Sequence, residues 1–120
     1  MQYIHVKNLD KHCPNYNQHI ISERHLEYFI VSKWKEMFCF SLYATRFHIS
    51  KRSIADMVGI TLEGIYIIEL KYRPKRNVDM RQIKRYQRDW RENFYLPVLG
   101  SFLIDYCHMK KEVNIWRIET

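Results

Sequence analysis

Apolar residues along the chain follow two periods. In the stretch from Ser22 to about Lys35, Leu26, Phe29, Ile30 and Trp34 recur at helical spacing and define one buried face. Ser22 can cap that helix, and Glu23 in its first turn suits the positive end of the helix dipole. Met37 to Ile49 is rich in aromatic and β-branched residues and predicts a strand. Ser50-Lys51-Arg52-Ser53 predicts a basic turn, Ile54 to Ile60 a second strand, and Thr61-Leu62-Glu63-Gly64 a tight turn. Ile65 to Tyr72, reading IYIIELKY, is the clearest strand, apolar apart from Glu69 and Lys71. The last two strands fold back as a hairpin. Val78 to about Asn93 predicts a helix with Ile83, Tyr86 and Trp90 inward, and Val98–Cys107 and Val113–Ile118 predict two more strands. Near the start, Tyr3–Val6 reads as a short strand and Cys13-Pro14-Asn15 as a turn.

The order is helix, three strands, helix, two strands. It predicts an α/β fold, a central mixed sheet flanked by helices. A chain of 120 residues has room for one domain, here 1–120, with a core that is aromatic-rich at 15% Phe, Trp and Tyr. No apolar run approaches the ~20 residues that cross a bilayer, so no membrane is expected as a partner. The start MQYIHVKNLD lacks the apolar segment of a secretory signal. The cysteines, Cys13, Cys39 and Cys107, are odd in number and form no C-x-x-C, so reduced thiols in a cytoplasmic protein are the expectation. A zinc ion between His12–Cys13 and Cys107–His108 is disfavoured because neither pair has finger spacing.

The formal charge of +7, from 20 basic and 13 acidic residues, calls for an anionic partner: nucleic acid, an anionic surface or an acidic protein. The cations are concentrated. Arg73, Lys75 and Arg76 follow the clearest strand, and Arg81, Lys84, Arg85, Arg88 and Arg91 lie along the next helix, with only Asp79, Asp89 and Glu92 against them. Such a stripe can track phosphates; its bland reading is a solvated helix face. Lys51 and Arg52 can add to it.

Candidate chemistry starts from Glu69 and Lys71. Two apart on a strand, they point to one face, and charges inside an apolar strand need a partner. A structural ion pair would satisfy that need. Asp56, in the apolar run Ala55-Asp56-Met57-Val58-Gly59, is folded back by the hairpin onto the Glu69 strand, where the two carboxylates repel unless a cation lies between them. Hard oxygen donors suit Mg²⁺ or Mn²⁺. The alternative is that Asp56 caps a turn or meets solvent. Gln82 and Tyr86, four apart, share a face of the helix behind that strand.

The run Asp56-Met57-Val58-Gly59, then Glu69-Leu70-Lys71, then Gln82-x-x-x-Tyr86 resembles the PD-(D/E)XK nuclease superfamily. The Q-x-x-x-Y is similar to RecB-type nuclease domains, and SERHLEYFI ahead of DMVGI and IIELK is similar to NucS-type endonuclease domains. The likeness spans about Ser22 to Ile104; residues 1–20 lie outside it, and their YIHVKNLDKHCPNY faintly resembles the start of phage-type replication proteins. Ala55 stands where many members carry Pro. The resemblance implies a restriction-endonuclease-like domain that hydrolyses phosphodiester bonds of DNA, with RNA left open. It implies that Asp56 and Glu69 hold Mg²⁺ (or Mn²⁺), that the Leu70 carbonyl is a further ligand, and that Lys71 assists the attacking water. A helical glutamate, Glu27 before Glu23, would complete the site, and Gln82 and Tyr86 would match the downstream motif. A homodimer addressing two strands is left open. The alternatives are a non-catalytic nucleic-acid-binding module of the same fold, or a basic phage-type module that binds an acidic protein.

Overall fold

The computed structural model describes residues 16–118 and the backbone of the short strand Tyr3–His5. Its elements are β1 (Tyr3–His5), β2 (Tyr16–Asn17), α1 (Glu23–Ser32), α2 (Trp34–Met37), β3 (Ser41–Ser50), β4 (Ser53–Ile60), β5 (Ile65–Lys71), α3 (Asn77–Asn93), β6 (Val98–Cys107) and β7 (Glu112–Ile118). One mixed sheet runs in the order β1-β7-β6-β5-β4-β3, with β2 also pairing β7. All its pairings are antiparallel except β5–β6, which α3 joins as a crossover.

β5 explains its own composition. It is flanked on both sides, by β4 and β6, and covered on both faces. Ile68 and Leu70 enter a cluster with α1 and α2, while Ile65 and Ile67 pack with Tyr86 and Trp90 of α3. A strand buried on both faces reads as a continuous apolar run rather than an alternating one. Burying each such isoleucine contributes about 2 kcal/mol. β3, at the edge, shows the opposite: most of its ten residues are exposed or half-buried.

The expected helix from Ser22 to Lys35 divides in two. The Ser22 hydroxyl caps α1 by accepting the His25 N–H at 3.0 Å. The Ser32 hydroxyl then donates to the Phe29 carbonyl at 2.7 Å, and Lys33 ends the helix before Trp34 starts a single further turn. Side-chain competition for backbone carbonyls weakens a helix at such a serine. The strand expected from Met37 begins only at Ser41. Residues 38–40 leave the sheet so that Phe38 and Phe40 can pack with Trp34 and Phe102, and the Trp34 indole N–H donates to the Phe40 carbonyl at 2.7 Å. Gly59 makes room for this, because a Cβ there would collide with the Phe40 ring. β2, which the sequence did not announce, is an addition; the remaining elements begin and end within two residues of their predicted bounds. The turn expected at Cys13-Pro14-Asn15, and the His12–Cys13 half of the disfavoured zinc pairing, lie outside the described residues. No helix among them is long and apolar enough to cross a membrane.

Candidate active site

The β4–β5 ladder runs from Ile60↔Ile65 to Met57↔Ile68 and stops there. The next pair in that register would be Asp56 and Glu69. At this point side chains take over from the backbone. The Asp56 carboxylate accepts the Leu70 N–H at 2.8 Å, and the Glu69 carboxylate accepts the Asp56 N–H at a long 3.4 Å. Strand alternation also breaks here, since Ala55 and Val58 pack on the α3 side while Met57 between them packs on the α1 side. A local irregularity in a strand re-aims side chains, and this one draws two acidic groups together.

Their meeting has an electrostatic signature. Burial, then the adjacent Asp56 charge and a hydrogen bond to the Asp56 side chain, push the Glu69 carboxyl up to about 9; the Lys71 ammonium opposes this only in part. Lys71 Nζ lies 3.5 Å from Glu69 Oε2. The Glu69 carboxyl is thus short of positive charge, a shortfall that Lys71 meets only in part and that a bound cation can fill.

α3 closes the site from one face. Gln82 Nε2 donates to the Tyr86 hydroxyl at 2.9 Å, as their spacing of four predicts. The Tyr86 phenol is pushed up to about 12, first by burial and then by the Glu69 and Asp56 charges, which puts it within their electrostatic reach. On the α1 side, Asp56 and Leu70 line a cavity of about 270 Å³ together with Glu23, Arg24, Glu27 and Arg46. Glu27 is half-buried and Glu23 exposed. Glu27 accepts from Arg46 Nη2 at 3.0 Å.

The structure thus brings together Asp56, Glu69, Lys71, Gln82 and Tyr86, and places Glu27 beside them in the adjoining cavity. Among the described residues no three His, Cys, Asp or Glu side chains form a ready-made metal cage. The donors that meet are two carboxylates, hard oxygens that fit Mg²⁺ or Mn²⁺, ions that commonly keep several waters and take only one or two carboxylates. Leu70 contributes a backbone N–H to Asp56.

The basic residues fall into two sets. Arg73 is half-buried and tied to Asp79, with Nη1 and Nη2 donating to its two oxygens at 3.0 and 2.8 Å. Lys75 sits over the Trp116 ring at 3.7 Å, and its N–H donates to Asp105 at 2.8 Å. Arg76 is exposed at the start of α3. Arg81, Lys84, Arg88 and Arg91 are exposed along one face of α3, and Arg85 is half-buried with its guanidinium 5.5 Å from the Tyr86 ring.

The acids counted against this stripe do not lie on it. Asp79 and Asp89 are both buried. Asp79 accepts the Arg76 N–H at 2.8 Å at the start of α3, while Asp89 accepts from the Ser50 and Ser53 hydroxyls. Only Glu92 stays exposed among the cations, so this face is more basic than its sequence suggests. Asp79 lies three residues after the N-cap Arg76, the place from which a side chain reaches back to cap a helix.

Arg46 was not a sequence candidate. Its φ of 48° is left-handed backbone at a non-glycine residue in mid-strand. That conformation costs about 1–2 kcal/mol, whereas an exposed pair such as Arg46–Glu27 returns only about 0.2–1 kcal/mol. No pattern of residue types announces it.

The sequence matches no protein-family model and no curated protein, and no solved structure matches the chain. Any functional reading therefore rests on the chemistry of these residues.

Proposed function

We propose that the protein is a divalent-metal-dependent nuclease of the PD-(D/E)XK type, with a restriction-endonuclease-like fold, that hydrolyses phosphodiester bonds of DNA. The observation that carries this reading is the meeting of the Asp56 and Glu69 side chains where the β4–β5 ladder ends, with the Glu69 carboxylate on the Asp56 N–H at 3.4 Å and Lys71 Nζ 3.5 Å from Glu69. Holding a half-buried acid against a buried one opposes folding unless positive charge offsets the pair, and a shared cation supplies that charge.

Asp56 and Glu69 would hold Mg²⁺ or Mn²⁺, with the Leu70 carbonyl as a further oxygen. When bound, such an ion lowers the pKa of a coordinated water and offsets charge on the phosphate. Lys71 places an ammonium where the pentacovalent phosphate accumulates negative charge. Gln82 steadies the Tyr86 hydroxyl, and Tyr86 packs behind the acids. Glu27 borders the cavity from α1 and is the nearer of the two helical glutamates to being enclosed. The exposed cations of α3, Arg81, Lys84 and Arg88 with Arg91, offer the backbone of the substrate a track beside the site.

Incubation of supercoiled plasmid and of single-stranded DNA with Mg²⁺ or Mn²⁺ tests this directly. Cleavage that EDTA abolishes and that Lys71→Ala loses supports the reading; no cleavage under either metal overturns it. One observation favours a second reading, a nucleic-acid-binding module without catalysis: the exposed cations of α3 would track phosphates whether or not the strand is cut. Salt-sensitive DNA binding by a protein that cuts nothing would establish that alternative.

A further inference from the structure

Arg46 has no task in the chemistry above, yet the fold keeps it in an unfavourable backbone conformation. Its neighbours Thr45 and Phe47 stay in register with Met57 and Ala55, so the strand pairing puts Arg46 opposite Asp56. The left-handed φ of 48° falls on that one residue. The side chain reaches Glu27 of α1 at 3.0 Å, across the cavity that Asp56 and Leu70 also line. It remains 59% exposed, against 20% for Glu27. An ion pair this open returns less than the backbone conformation costs. A guanidinium carries five donors, and the pair with Glu27 engages Nη2. Strain that its own contacts do not offset is characteristic of residues positioned for a ligand.

We propose that Arg46 is a substrate-binding residue: its guanidinium takes a phosphate oxygen of the nucleic-acid backbone in the cavity beside Asp56, and Glu27 holds it there in the free protein. The fork geometry and permanent charge of arginine suit a phosphate, and the donors stay reachable from solvent. Glu27 then has two roles, as a border of the acidic site and as the counter-charge that keeps an arginine from collapsing onto Asp56. The assignment rests on the nuclease reading for the position of the scissile phosphate, but not for the anion contact itself.

The test uses Arg46→Gly, which removes the side chain and accepts the left-handed backbone, and Arg46→Gln, which removes the charge and keeps the backbone constraint. Binding of a fluorescein-labelled DNA duplex is followed by anisotropy in EDTA over a range of NaCl concentrations, alongside thermal melting and cleavage in Mg²⁺. The expected result is an R46G protein that melts no lower than the wild type. Its log–log salt dependence of affinity should be shallower by about 1, the slope of one lost phosphate contact. Cleavage should fall about tenfold or more in both variants. Should R46G not fold, R46Q gives the same binding readout. Wild-type salt slopes and cleavage rates in the folded variants overturn the assignment while leaving the nuclease reading intact. A wild-type protein that cuts nothing, with variants that still flatten the slope, removes the nuclease reading and supports the phosphate contact.

Discussion

Glu69 and Asp79 are carboxylates buried to nearly the same degree, 3% and 1% exposed, on either side of one ammonium: Lys71 Nζ is 3.5 Å from Glu69 and 3.9 Å from Asp79. Their ionisation moves in opposite directions. Burial raises both, but at Asp79 the Arg73 fork, the Arg76 N–H and the nearby cations outweigh it and hold the carboxyl below its usual range. At Glu69, the close Asp56 adds to burial, and the carboxyl rises to about 9. Burial weighs most at Glu69, and the supply of counter-charge widens the difference between the two acids. Asp79 has a bidentate guanidinium and a cap to make. Glu69 has a second acid, and a shortfall of positive charge that a bound cation can fill.

The comparison is broken most severely by removing the groups around the shortfall. Glu69→Gln, Asp56→Asn and Lys71→Ala should each lower Mg²⁺-dependent DNA cleavage by about a thousandfold, roughly 4 kcal/mol of barrier, as initial rates on plasmid would show. If these variants cut normally, the two acids do not differ in kind. Asp79→Ala should act on stability instead. It strands Arg73 and removes the cap of α3, a loss of about 3–5 kcal/mol that chemical denaturation reads as a lower midpoint.

A smaller effect follows from titration. Glu69 ionises near its ordinary 4.5 in the unfolded chain but only near 9 in the folded one. Below pH 4.5 both states hold the proton and the stability is complete. As pH rises toward 9 the unfolded chain gains from ionising and the metal-free fold loses stability. Glu69→Gln mimics the protonated acid, so it should flatten this decline and stabilise the metal-free protein at pH 7, with no gain at pH 4. Mg²⁺ should raise the wild-type melting temperature more at pH 8 than at pH 6, because it competes with that proton, and should leave Glu69→Gln nearly unmoved. A flat wild-type stability curve would place Glu69 with the compensated acids. The smallest effect belongs to the α3 face. Neutralising Arg81, Lys84 and Arg88 one at a time should shift DNA affinity several-fold and lower the salt slope by about 1 each, without changing the melting temperature.

Much of the site could be read from the chain. Glu69 and Lys71 lie two apart in the one strand whose apolar run left no other place for charge, and Gln82 and Tyr86 lie four apart on a helix, so their joint placement followed from local geometry. That Asp56 falls beside Glu69 followed from the short hairpin between β4 and β5. The end of the ladder at that pair, and the side-chain bonds that replace it, did not follow. They depend on what packs on both faces, which separates Ala55 and Val58 from Met57. Likewise Asp79 and Asp89 look like solvent-facing counter-charges on a basic helix, and burial against Arg73 and the β3–β4 turn makes them something else.

By itself, then, the chain determined where α3 and the long strands β4 to β7 lie and that its charge is strongly positive. Both are set by residues a few positions apart, where side-chain period and backbone preference act directly. Tertiary structure decided which acids receive a counter-charge, where the β4–β5 ladder opens, and that Arg46 stands in left-handed backbone opposite Asp56. These depend on groups distant in sequence meeting at low dielectric, where burial and the charges and donors around a carboxyl together set the direction in which it shifts.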